Sequence, residues 1–166
     1  MPLLLLLLAL PVNSIDDPLA PARQGQLQCH SPDVARKTCA ALAGYTFEAD
    51  GGILNQAEVL LNPSPAIVMH NEMRVFIREG AVCGDMSDLA KARFTIGGQV
   101  ADENVTSLLR AQVTAAFSQL GGEGCTRYAP NGEGILAKVM IDGEERPDLN
   151  QPVMWVSPDA GWSVAP

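Results

Sequence analysis

The sequence predicts a single α+β domain. In it a small antiparallel meander is packed by one long amphipathic helix and one or two short helices, and two disulfides staple the whole. Three observations carry this expectation. Ala66–Gly84 is the densest run of strand formers, and in it Met73, Val75 and Ile77 alternate with Arg74 and Arg78, the two-residue period of a strand with one buried face. Val105, Leu108, Leu109, Val113, Ala116, Phe117 and Leu120 recur at helical spacing and form one apolar stripe. Cys29, Cys39, Cys83 and Cys125 follow an apolar N-terminus, the setting in which cysteines become disulfides.

Composition sets the outer bounds. A chain of 166 residues that is 47% hydrophobic and 18% charged is sized for one domain and too apolar for disorder. Only 5% of its residues are aromatic, so aliphatic packing carries the core. A net charge of −8 argues against nucleic acid and anionic membrane surfaces as partners, since both attract Lys and Arg. The run Met1–Val12, with leucine at every position from Leu3 to Leu8, is too short to span a bilayer. It reads as the apolar core of a secretory signal peptide over 1–22, cleaved after Ser14 or Ala22. A flexible spacer over 23–28 then leads to the domain, 29–166, with no membrane span left once the leader is cut.

The elements follow in order. Ser31-Pro32-Asp33 is an N-cap, a proline at the first helical position and an acid in the first turn. Val34, Thr38, Ala41 and Leu42 continue at helical spacing to Gly44, so a first helix is expected there. Tyr45–Phe47 reads as a short strand and Asp50-Gly51-Gly52 as a turn. Ile53–Leu61 suits strand or helix, strand being favoured, and Asn62-Pro63-Ser64-Pro65 breaks either. Within the central meander, His70-Asn71-Glu72 and Arg78-Glu79-Gly80 are expected to be hairpin turns. Ser87–Ala92 fits a short capped helix, and Phe94-Thr95-Ile96 before Gly97-Gly98 a brief strand and turn. Asp102-Glu103-Asn104 charges and caps the long helix, which Gly121-Gly122 ends. Its stripe is expected to lie on Val75, Ile77 and the strand Ile135–Ile141, with Arg110, Gln112 and Gln119 in solvent. A last strand covers Val153–Val156. A faint internal echo sets Cys39…Tyr45…Asp50-Gly51-Gly52 beside Cys125…Tyr128…Asn131-Gly132.

Four cysteines allow three pairings. If a helix starts at Ser31, Cys39 lies about 12 Å along its axis, whereas a disulfide needs Cα atoms about 4.4–6.8 Å apart. This slightly favours bridges that tie the first helix to the sheet, against the loop entropy that favours nearest neighbours. Catalytic signatures are thin. No G-x-S-x-G, C-x-x-C or H-x-x-x-H occurs, so the reading leans away from an enzyme and implies no cofactor. Met69, His70 and Met73 make a soft-ligand group suited to copper, and a metal-handling protein is the alternative they carry. Against it, strand methionines are more often core filler. Trp155 and Trp162, the only tryptophans, are candidate binding residues, with burial as the plainer reading.

Cys29-x9-Cys39, Val82-Cys83-Gly84, Cys125-x-x-Tyr128, and Trp155-Val156-x-Pro158 with Gly161-Trp162-x-Val164-x-Pro166 together resemble a group of small exported bacterial proteins with a four-cysteine frame and no assigned activity. The resemblance implies export and contributes no site residues. The expectation is a periplasmic or secreted non-catalytic binding protein, its partner a protein or a cell-envelope ligand.

Overall fold

The computed structural model describes residues 17–87, 89 and 91–166. Residues 1–16 of the expected leader therefore lie outside the described residues, whereas 17–22 lie within them and enter α1. Positions 88 and 90 of the short helix expected over Ser87–Ala92 also lie outside them.

The architecture corrects the expected α+β fold: it is a closed antiparallel β-barrel. Eight strands form it, β1 (Leu27–His30), β3 (Ala41–Phe47), β4 (Ile53–Pro63), β5 (Ala66–Arg78), β6 (Ala81–Asp85), β9 (Glu123–Asn131), β10 (Gly134–Ile141) and β12 (Gln151–Val156). Each pairs with the next in chain order, and β12 pairs back on β1 through Leu27↔Val156 to His30↔Val153. An up-and-down barrel of this kind leaves its member strands no free edge. The smaller elements are β2 (Thr38–Cys39), β7 (Arg93–Ile96), β8 (Gln99–Val100), β11 (Glu144–Glu145), β13 (Ser163–Val164) and the helices α1 (Ala20–Arg23) and α2 (Glu103–Ser118).

The expected first helix is absent. Ser31 and Lys37 take positive φ of 48° and 53°, and Asp33 and Thr38 exchange backbone hydrogen bonds, which folds the chain back on itself. Ala41–Phe47 then pairs with both β1 and β4. Two strand ladders outweigh the modest helix propensity of three alanines and a leucine. The fold-back brings Cys39 to Cys29, Cα–Cα 5.4 Å, and the second bridge joins Cys83 to Cys125. Nearest-neighbour pairing thus replaces the bridges to a first helix. The segment 23–28, read as a spacer, holds the end of α1 and the start of β1.

The central meander is also simpler than expected. β5 runs unbroken through His70-Asn71-Glu72, with Asn71 buried between two outward polar neighbours, so there is no turn. The turn at Glu79-Gly80 does form, both residues at positive φ, which is what a two-residue hairpin needs. Ile53–Leu61 is strand, as favoured.

α2 follows the expected bounds. Asp102 caps it, its carboxylate accepting from the backbone N–H of Asn104 at 2.9 Å and of Val105 at 3.0 Å. Its seat differs from the expected one. Leu109, Val113 and Phe117 pack on Met69, Leu89, Ala92 and Phe94, while Leu108 stays 61% exposed. Arg110, expected in solvent, donates to the Ala92 carbonyl at 2.9 Å and fastens the helix to the segment leading into β7.

The two barrel ends differ. α1 lies across one of them, where Leu19 and Ala22 are buried with Ile53 and Val82 against Phe47, Val75 and Trp155. Over the other, Phe117 and Leu120 at the end of α2 lean towards the interior.

Candidate functional site

An eight-stranded barrel is just wide enough for side chains to fill it or for one small ligand to occupy it. Here the inward side chains are too small to fill it. Ala41, Ala43 and Ala57 face in from β3 and β4, with Ala43 opposite Ala57. Gly84 and Gly124 are cross-strand partners on β6 and β9. A Cβ at Gly124 would lie 2.9 Å from Met86 Sδ, and one at Gly84 would lie 3.6 Å from Met73 Sδ. Two flexible thioethers thus occupy the room the glycines leave, and that part of the wall can adapt to a guest. The result is a cavity of about 440 Å³, within the roughly 300–1,000 Å³ of small-molecule pockets. Among the described residues no Lys, Arg, Asp or Glu lines it.

Its polar groups gather around Gln28, which is fully buried. The Gln28 Oε1 accepts from the Tyr45 hydroxyl at 2.9 Å and the Tyr128 hydroxyl at 3.1 Å, and His30 Nε2 lies 3.2 Å away. Gln28 and His30 are two residues apart on β1 and so share its inner face. Burial raises the pKa of both phenols above its ordinary value, Tyr45 the more strongly, so both stay protonated and donate. A carbonyl oxygen can only accept, which places the His30 proton on Nε2 and leaves Nδ1 a bare acceptor. Two atoms of this cluster are buried with no partner, Gln28 Nε2 and His30 Nδ1.

Burial also lowers the His30 pKa from 6.5 to about 4. Gln28, Tyr45 and Tyr128, the groups around it, are uncharged and cannot pair with an imidazolium. In the unfolded chain the ring takes its proton near 6.5, so the unfolded state binds more protons between the two values. The stabilisation is complete above pH 6.5 and is lost as pH falls through about 4. Urea denaturation should show a loss of roughly 2–3 kcal/mol between pH 7 and pH 4.5. His30→Phe should flatten that slope, and an unchanged slope would mean that the ring is not enclosed.

The residues singled out from sequence are dispersed. Met69 and Met73 face inward, one to the cluster under α2 and the other to the cavity. His70 lies on the outer face of β5, against Thr95 Oγ1 at 3.3 Å and Glu58 Oε1 at 3.5 Å. The strand's alternation therefore holds the imidazole apart from both thioethers. Among the described residues one ligand-type trio comes together, Cys83, Glu123 and Cys125, and its two sulfurs are bonded to each other. Trp155 packs in the plugged end, and Trp162 packs outside the barrel on the Cys29–Cys39 bridge, so the two form no joint platform. All four cysteines are in disulfides.

Sequence reasoning missed Gln28, Tyr45 and Tyr128 as a site, although the internal echo had set the two tyrosines at matching places. Comparison with family models, with curated proteins and with solved structures finds no match for the chain.

Proposed function

We propose that this is an exported, non-catalytic binding protein that holds one small, neutral, largely apolar molecule inside its barrel. The observation that carries the reading is a cavity of about 440 Å³ inside the barrel with no charged side chain among the described residues of its lining. Such a wall offers apolar area to a guest and nothing to compensate an ion, whose burial unpaired is costly. Among the described residues the lining also lacks the paired carboxylates that general acid–base chemistry would use. Export is supported by the apolar leader and by two disulfides, which persist in oxidising compartments.

The test is a titration of the purified protein with N-phenyl-1-naphthylamine, a neutral dye that brightens in apolar surroundings. One molecule should bind per chain, and the anionic 8-anilinonaphthalene-1-sulfonate should bind at least about tenfold more weakly. Ala57→Phe, which fills the cavity, should abolish the signal. Failure of the neutral dye to bind, or binding that survives the filled cavity, would sink the reading. The mass of protein recovered outside the cytoplasm tests export: a chain that retains Leu3–Leu8 would refute it.

A further inference from the structure

Resting on that reading, we infer that the Gln28–His30 pair is a head-group anchor that selects ligands carrying both a hydrogen-bond acceptor and a hydrogen-bond donor, as a carboxamide or an alcohol does. Gln28 Oε1 is saturated by three neighbours, at 2.9, 3.1 and 3.2 Å, and this fixes the amide with its NH2 turned away from them. Among the described residues that NH2 group has no partner, and it is buried in a residue with no exposed surface. Two positions along the same strand face, His30 Nδ1 is an equally buried acceptor without a donor. Buried polar atoms are nearly always satisfied, and two orphans of opposite sense on side chains lining one cavity are unusual. A guest with a carbonyl or hydroxyl oxygen would accept from Gln28 Nε2, and its own N–H or O–H would donate to His30 Nδ1.

The complement predicts what is turned away. An ester or ketone can satisfy Gln28 and leaves His30 Nδ1 bare. A carboxylate is acceptor-only as well, and it brings a charge into a wall that has none to answer it. Most of the remaining lining is apolar, aliphatic side chains and thioethers with Phe117, so the rest of the molecule is apolar. Thr126, Asn55 and Gln151 are the other polar side chains on the wall. Asn55 is already engaged, its Nδ2 donating to the Gly44 carbonyl at 3.3 Å.

Displacement of bound N-phenyl-1-naphthylamine by four compounds of one chain length provides the test: decanamide, 1-decanol, methyl decanoate and decanoate. The amide or the alcohol should displace the dye at a concentration at least about tenfold below that of the methyl ester, because the ester strands a buried acceptor. Decanoate at pH 8 should be the weakest. The stronger of the amide and the alcohol names the head group. In His30→Phe the preference over the ester should disappear while the dye still binds. Gln28→Leu removes the partner of two tyrosines as well, so His30→Phe is the variant that decides. If the ester matches both donors in the wild type, or if the preference survives in His30→Phe, the anchor is overturned while the carrier reading stands. If the dye does not bind at all, both readings fall.

Discussion

Replacing Phe94 by alanine is expected to cost about 3–5 kcal/mol, read by chemical denaturation. Phe94 is the largest side chain with essentially no exposure, at 1%. It sits opposite Met69 on the strand that extends β5 beyond the barrel, and Leu109, Val113 and Phe117 of α2 pack against the same cluster. Truncating it removes a buried ring on which the helix is seated, and the surrounding ladders prevent full collapse of the hole. Phe117→Ala should cost less, since Phe117 is half-buried and faces the open cavity, where no packed neighbour is lost on one side. Gln112→Ala, on the exposed face of α2, should stay within about 0.5 kcal/mol. If Phe94→Ala were as harmless as Gln112→Ala, α2 would not be seated on the barrel.

Removing the Cys83–Cys125 bridge with a paired alanine substitution should cost about 4 kcal/mol, and removing Cys29–Cys39 about 3 kcal/mol, by the loop-entropy argument. The sequence separations are 42 and 10, so the ranking follows from loop length alone. The larger bridge also sits where the barrel needs it. β6 and β9 are neighbours in space, but the chain between them leaves to build β7, β8 and α2. Cys83 and Cys125 are direct cross-strand partners, so the bond closes the barrel across its longest excursion. Thermal or urea unfolding of the two variants gives the comparison, and a reversed order would show that local geometry, not chain entropy, governs these bonds.

What the sequence made legible was local. α2 announced itself through seven apolar positions and an aspartate cap, and β4, β10 and β12 through strand formers bounded by Gly- or Pro-bearing breaks. The failures share one cause. Ala41, Ala43 and Ala57 keep the interior open, yet alanine is the best helix former. The residues that create the cavity therefore drew the first helix towards the wrong period. Asn71 misled in the same way, because a buried amide between His70 and Glu72 looks like a turn. The site itself was out of reach. Gln28 lies 17 residues from Tyr45 and 100 from Tyr128, and only barrel closure brings them together. A fold read as a small sheet on a helix has no interior in which they could meet.

Under the proposed export, the short helix ahead of the first strand would tie the position of the leader cut to the shape of the barrel. Leu19 and Ala22 close one end of the barrel, and the two leader cuts considered above fall on either side of them. A cut after Ser14 leaves a cup with a sealed base, in which a guest enters and departs by the same rim. A cut after Ala22 carries the base away and leaves a sleeve open at both ends. Water would then reach Tyr45 and Tyr128 from below, and the His30 ring would recover much of its ordinary basicity. If the chain is exported as proposed, the position of the cut would thus choose between a dead-end vessel and a through-passage, with no change in any strand.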